Sequence, residues 1–256
     1  MIFLRQTIQM ITAIIVVTLS FSYASVYADE IVIYGGEAFK PQSYLDNGEP
    51  AGMIPALFKH LSKESGDSYK LILLPWKRAV GESTSGHGGI TSFTRTVERS
   101  EIFDFSEPLF RNRVQLIVLK DKAFEFTSLD NLRGKIIGLP LGSSFGDAFD
   151  QAARDRVFSV DPDTNQTSRI KKLFLGRIDI AVIGRMSFNQ VLKSDPQLFE
   201  NRDKFMLLTN AVIEDPLYLA FPKSMHMQPA LQRFNKALIS FKKTKAYQDI
   251  VSDYAN

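Results

Sequence analysis

The stretch Thr96–Phe110, "TVERSEIFDFSEPLF", decides how the rest of the chain is read. Arg99 stands there between Glu98 and Glu101, just ahead of an aromatic-rich strand signal, Phe103-Asp104-Phe105-Ser106. An arginine on a helix flank is ordinarily a solvated charge, since charged side chains are mostly exposed. A planar guanidinium can also grip a carboxylate through two parallel hydrogen bonds. Which description applies to Arg99 depends on its surroundings.

Upstream, the first residues are set apart from the fold. Arg5 gives a short basic region, Met10–Leu19 ("MITAIIVVTL") an apolar one, and Val26-Tyr27-Ala28 a small-x-Ala site. This pattern is that of a secretory signal peptide, residues 1–28, cleaved after Ala28. Its apolar core of ten residues falls short of the roughly 20 that a spanning helix needs. The chain has no cysteine, so export brings neither disulfides nor a lipid-bearing Cys. The expected location is the periplasm, and the expected state a free monomer. Lys and Arg number 31 against 28 Asp and Glu in 256 residues, a near-balance that argues against nucleic acid as a partner.

Downstream of Ala28 the signals for strand and helix alternate. Glu30–Tyr34, Tyr69–Leu74, Val114–Leu119, Lys135–Leu139, Ile178–Ile183, Phe205–Leu208 and Tyr218–Phe221 are apolar, β-branched or aromatic runs of strand length. Helices are predicted around Pro55, from Trp76, over Phe145 to about Arg154, over Asn165–Leu175 and Met186–Lys193, and in two segments after Pro229. Such alternation means an α/β protein with largely parallel sheets. Ligands of these sheets bind beyond the carboxyl ends of the strands.

The order of motifs resembles the extracellular solute-binding proteins of family 3, which serve polar amino acid ABC transporters. The resemblance covers Ile31–Tyr254. It is carried by "FKPQSYLDNGEPAGM", the opening stretch, "SLDNLRGKIIGLPLGSS", "LFLGRIDIAVI" and "PLYLAFPKSMHMQPALQRFNKAL". It implies a two-lobe periplasmic-binding-protein-like fold of type II, with mixed, mostly parallel sheets and two hinge crossovers. Lobe 1 would be residues 29–112 plus 213–256, and lobe 2 residues 113–212. The lobes would close on a small solute and hand it to a membrane permease, with no cofactor, no metal and no chemistry.

The resemblance also implies roles for individual residues. Arg99 falls on the arginine that clamps the ligand carboxylate, and Ser92 and Thr94 on positions that bind the same ligand. Phe39 falls on the aromatic that covers the solute. Gly142, Ser143 and Ser144 match the second lobe's contribution, a loop at a helix start of the kind that holds anions; ordinary capping by Ser is the competing reading. Trp76, the one tryptophan, lines the cleft or packs beneath it. Gln166 matches a minor contact.

Two departures bear on the ligand. The family's "GRxDAxxxD" strand ends in an Asp that holds the ligand ammonium; here that position is Gly184, followed by Arg185, a cation beside the vacant site. In "SGHGGITS" glycines stand where an Asp is common. A buried ammonium needs a counter-charge, so either Glu37 or Glu214 substitutes or the ligand is not an ordinary amino acid. The expected solute is therefore a small carboxylate, an amino acid or a related organic acid. His60, His87 and His226 are scattered, and His87 lies in a glycine-rich loop near the expected cleft mouth. Two alternatives to a transport receptor are open. One is a periplasmic enzyme like the cyclohexadienyl dehydratases, with Glu37, His87 or Glu214 as acid or base. The other is a periplasmic sensor docking on a membrane receptor.

Overall fold

The computed structural model describes residues 30–255, without the side chains of 112, 210–215 and 253–255. The expected signal peptide, residues 1–28, lies outside the described residues. No helix among the described residues is long and apolar enough to cross a membrane.

The chain opens with β1 (Ile31–Gly36), then two short hairpins built from β2 (Ala38–Phe39), β3 (Ser43–Asp46) and β4 (Glu49–Ala51). Helix α1 (Met53–Ser65) buries Met53, Ile54, Leu57, Phe58 and Leu61 on one stripe and stops at Gly66, whose left-handed backbone (φ 76°) returns its N–H to Ser62. Each of those apolar side chains contributes about 1.5–3 kcal/mol by leaving water. β5 (Tyr69–Leu74), α2 (Trp76–Thr84), β6 (Gly89–Thr94), α3 (Val97–Ile102) and β7 (Phe103–Phe105) follow. β8 (Phe110–Leu119) then leaves this body of the molecule.

The second body holds β9 (Ile136–Pro140), α4 (Asp147–Arg154), β10 (Ser159–Asp163), α5 (Gln166–Phe174), β11 (Ile180–Gly184), α6 (Arg185–Ser194) and α7 (Pro196–Glu200). β12 (Phe205–Pro222) returns to the first body, which α8 (Gln228–Phe241) and α9 (Lys245–Ala255) complete. α8 lays Phe234 against Phe58 of α1, ring centroids 5.7 Å apart.

All the long strands form one sheet in the order β10-β9-β11-β8-β12-β6-β1-β5, with β7 paired to β12. The outer pairs β1–β5, β1–β6, β9–β10 and β9–β11 are parallel. The pairs made by β8 and β12 are antiparallel. The buried side chains divide in the same way. Clusters around Leu57 and Phe234 and around Phe93 and Phe103 draw only on residues before 111 and after 216. Those around Phe149 and Phe188 draw only on residues 114–208.

Sequence and structure part in three places. Phe205–Leu208 and Tyr218–Phe221, predicted as separate strands, are the ends of the single 18-residue β12. Its polar middle, with Pro216, is extended because it pairs with β8, Val212 opposite Gln115 through Pro216 opposite Arg111. β10, "SVDPD", is an edge strand with mostly exposed side chains and a proline, so no apolar alternation marks it. The helix expected from Phe145 begins at Asp147, because Gly146 adopts φ 91° and precedes the first helical residue.

Candidate functional site

The two bodies meet at a cavity of about 90 Å³. Phe39, Trp76, Ser92, Thr94 and Arg99 line it from one side, and Ser143, Ser144, Phe145, Gln166, Arg169 and Gly184 from the other. Hydrogen bonds close the two sides on each other. The Trp76 indole N–H donates to the Gly142 carbonyl at 3.1 Å, Thr94 Oγ1 to that of Ser144 at 3.4 Å, and Ser187 Oγ to that of Lys40 at 2.9 Å. At the rim, the Val97 N–H reaches the Asp147 carboxylate at 3.3 and 3.4 Å.

Arg99 owes its place to α3. Thr96 caps that helix by accepting the Arg99 N–H at 3.2 Å. The guanidinium then folds back over the Phe93 ring, its carbon 3.9 Å from the centroid, and Nη1 donates to the Thr94 carbonyl at 2.9 Å. It makes no ion pair among the described residues. Burial pushes its pKa down to about 10, while Asp150 and Glu98 pull it the other way. The group remains a cation at neutral pH, half-buried, with N–H groups left to spend. A solvated charge would show neither the burial, nor the lowered pKa, nor the packing on Phe93.

Ser92 adopts φ 57°, in the left-handed region, which costs an ordinary L-residue about 1–2 kcal/mol. Its hydroxyl oxygen and that of Thr91 are buried without a hydrogen-bond partner. Orphaned buried hydroxyls are costly unless something meets them. Phe39 packs edge-to-face on Trp76, centroids 5.8 Å apart. Gly36 makes room for it, since a Cβ there would stand 2.1 Å from the Phe39 ring.

On the second side the loop differs from a simple anion cradle. Ser143 N–H is spent on the Pro140 carbonyl at 3.1 Å, Phe145 N–H on Asp150 at 3.1 Å, and Gly146 N–H on Ser144 Oγ at 3.3 Å. The Ser144 hydroxyl itself donates to Asp150. Gly142 is outside the lining and contributes its carbonyl to Trp76. Gln166 opens α5 and lines the cavity. Arg185 is not brought in: it is exposed and its Nε reaches Gln115 at 3.3 Å.

The charged residue of the lining that the sequence did not single out is Arg169. It lies 2% exposed and forms a bidentate pair with Asp163, Nε and Nη2 donating at 2.8 and 2.7 Å, while Nη1 donates to the Val182 carbonyl at 2.8 Å. Neighbouring Ile170 and Leu173 are buried on the same helix, and that apolar stripe is the one signal that could have drawn attention to it.

Of the candidate acids, Glu37 lies in a wider recess of about 510 Å³ next door, with Lys77 and Arg78. The Glu214 side chain lies outside the described residues. Asp179 has a structural task, accepting the Ile136 N–H at 2.8 Å. At Gly89 a side chain would strike the Phe221 ring, 2.6 Å from the Cβ position. His87 is exposed and paired with Glu82 at 2.8 Å, which holds the Glu82 carboxyl below its usual range. His60 stacks on Phe241, centroids 4.9 Å apart. No group of three or more His, Cys, Asp or Glu among the described residues could hold a metal ion.

Comparison with known proteins places this geometry. The family described as bacterial extracellular solute-binding proteins, family 3, matches residues 31–256. A probable amino-acid-binding protein of Bacillus subtilis strain 168, YxeM, is 23% identical over 84% of this chain and 80% of its own. Among solved structures, a histidine kinase sensor domain similar to periplasmic binding proteins superposes with a TM-score of 0.74 at 19% identity, covering 88% of this chain and 96% of that one. An ancestral arginine-binding protein bound to arginine gives 0.72 at 24% identity, over 89% and 98%. At these identities the structural likenesses carry the fold, a two-lobe type II periplasmic binding protein.

Proposed function

Because the chain belongs to the bacterial extracellular solute-binding proteins of family 3, we propose that it captures a small carboxylate-bearing solute between its lobes and delivers it to an ABC transporter permease. In this reading it is exported, cleaved after Ala28, and works as a periplasmic monomer. Lobe 1 comprises residues 29–112 and 213–256, and lobe 2 residues 113–212; the division of the apolar clusters supports these limits. The solute stabilises the closed arrangement by touching both lobes.

The observation that carries the reading is Arg99. Its half-buried guanidinium, without an ion-pair partner among the described residues, faces the cavity beside the orphaned Ser92 hydroxyl. A planar cation held in this way is completed by a carboxylate, which would accept two parallel N–H bonds. Among the described residues lining the cavity there is no Asp, Glu or His to serve as general acid or base.

The test is a thermal-shift screen of wild type and Arg99→Ala against amino acids, dicarboxylates and other organic acids. A solute at 100 times its dissociation constant stabilises by about 2.7 kcal/mol. A binder that shifts wild type and leaves Arg99→Ala unmoved supports the clamp. Equal shifts in both proteins would sink it.

A further inference from the structure

The polar groups of the cavity are unequal in charge. Among the described lining residues the charged ones are Arg99 and Arg169, and neither is an acid. Arg169 is paired with Asp163, whereas Arg99 has no ion-pair partner among the described residues and feels Asp150 and Glu98 only at longer range. The carboxylates close by face other donors, and none of them is among the described lining residues. Asp163 accepts from Arg169 and from the Asn165 N–H, Asp150 from Ser144 and the Phe145 N–H, and Asp147 from the Val97 N–H. Glu37 stands beyond the Phe39–Trp76 pair, in the recess that also holds Lys77 and Arg78.

Besides Arg99 and the paired Arg169, the described lining residues that a solute meets are neutral. The hydroxyls of Ser43 and Ser187 have given their hydrogens to the Gly36 and Lys40 carbonyls at 2.7 and 2.9 Å, so their oxygens present lone pairs. Ser92 Oγ is buried and unpartnered. Such acceptors suit a hydroxyl, and a free hydroxyl hydrogen suits a carbonyl. A desolvated ammonium requires a counter-charge as well. Resting on the reading that Arg99 holds a carboxylate, we propose that the solute is a carboxylic acid without an α-amine, a 2-hydroxy or 2-oxo acid.

Gly184 is where the cavity makes this choice. It has an ordinary backbone, φ −66° and ψ 145°, and a Cβ there would meet only the Arg113 carbonyl oxygen at 3.6 Å. Space for a side chain exists, and Gly184→Asp would fill it with the missing anion.

The experiment is calorimetry on the exported chain with matched triplets sharing a side chain: alanine, lactate and pyruvate; glutamate, 2-hydroxyglutarate and 2-oxoglutarate; phenylalanine, phenyllactate and phenylpyruvate. Arg99→Ala is the control. In at least one triplet a hydroxy or oxo acid should bind wild type at least 100-fold more tightly than the amino acid, and Gly184→Asp should shift that ratio toward the amino acid by tenfold or more. An amino acid that binds wild type as tightly as its partners, with Arg99 required, overturns this inference and leaves the solute-binding reading standing. If no compound binds through Arg99, both fall. Should Gly184→Asp not fold, the wild-type ratio decides alone.

Discussion

The indole N–H of Trp76 and the carbonyl oxygen of Gly142 lie 3.1 Å apart, a hydrogen bond that ties one lobe to the other at the rim of the cavity. Trp76 is the one tryptophan of the chain, so its emission reports the surroundings of this single indole. Solute should change the emission of wild type and leave that of Arg99→Ala unchanged. Trp76→Phe should keep the fold and weaken binding about threefold to tenfold, the net value of one hydrogen bond. A calorimetric titration of Trp76→Phe checks the size of the loss.

Removing the guanidinium tests the clamp more severely. Charge-assisted bonds contribute about 1.5–3 kcal/mol each, so Arg99→Ala should lose roughly 100-fold or more in affinity. Arg99→Lys should recover little, because an ammonium cannot reproduce the planar fork. The pKa of about 10 sets the pH dependence. At about 10 it still lies well above neutrality, so the cation is fully present at pH 7, and because burial has lowered it, the cation is lost as pH rises through about 10. Affinity should be flat between pH 6 and 9 and fall above 10; a fall centred near pH 7 would point to another group.

The buried pair of Arg169 and Asp163 should behave as a structural unit. Removing one partner strands a charge 2% exposed, at a cost of about 3–5 kcal/mol. Asp163→Asn should therefore lower the urea midpoint strongly, and Asp163→Leu combined with Arg169→Met should restore much of it. If Asp163→Asn unfolds like wild type, the pair contributes nothing.

Gly36→Ala isolates the aromatic cover. The added methyl would stand 2.1 Å from the Phe39 ring, so that ring must turn away. A clash of this kind costs about 1–3 kcal/mol. Phe39 is half-buried at the cavity edge, so the larger effect should be on solute affinity. Comparing melting temperature with affinity in the same variant separates the two.

How far the sequence reveals all this differs by residue. Arg99 and Phe39 belong to local motifs, Ser92, Thr94 and Gln166 match by position, Trp76 stands out as the one tryptophan, and the structure brings all six together at one cavity. Arg169 is invisible in that sense. Its partner Asp163 sits six residues earlier in an edge strand without apolar pattern, and polar helix positions read as solvated. The loop Gly142–Gly146 shows the opposite failure. Its serines and glycines suggest an anion cradle, but Asp150, one turn into α4, takes the Ser144 hydroxyl and the Phe145 N–H. Composition marks which groups are available; only packing decides which are already used. The central part of β12 is unreadable for a related reason, as pairing with β8 keeps its polar sequence extended.

That pairing has a mechanical consequence. β8 and β12 cross between the lobes side by side, Arg111, Asn112 and Arg113 facing Pro216, Asp215 and Glu214, with the register shifting only between Leu207 and Val212. Two ribbons bonded along their length resist sliding and separation, but a twisted pair bends and winds readily. The lobes should therefore move chiefly along one soft coordinate, like the leaves of a book on a sprung spine, and contact with a solute should drive that single displacement. Stiffening the spine, far from any solute atom, would slow opening and shutting together while leaving the recognised chemistry untouched.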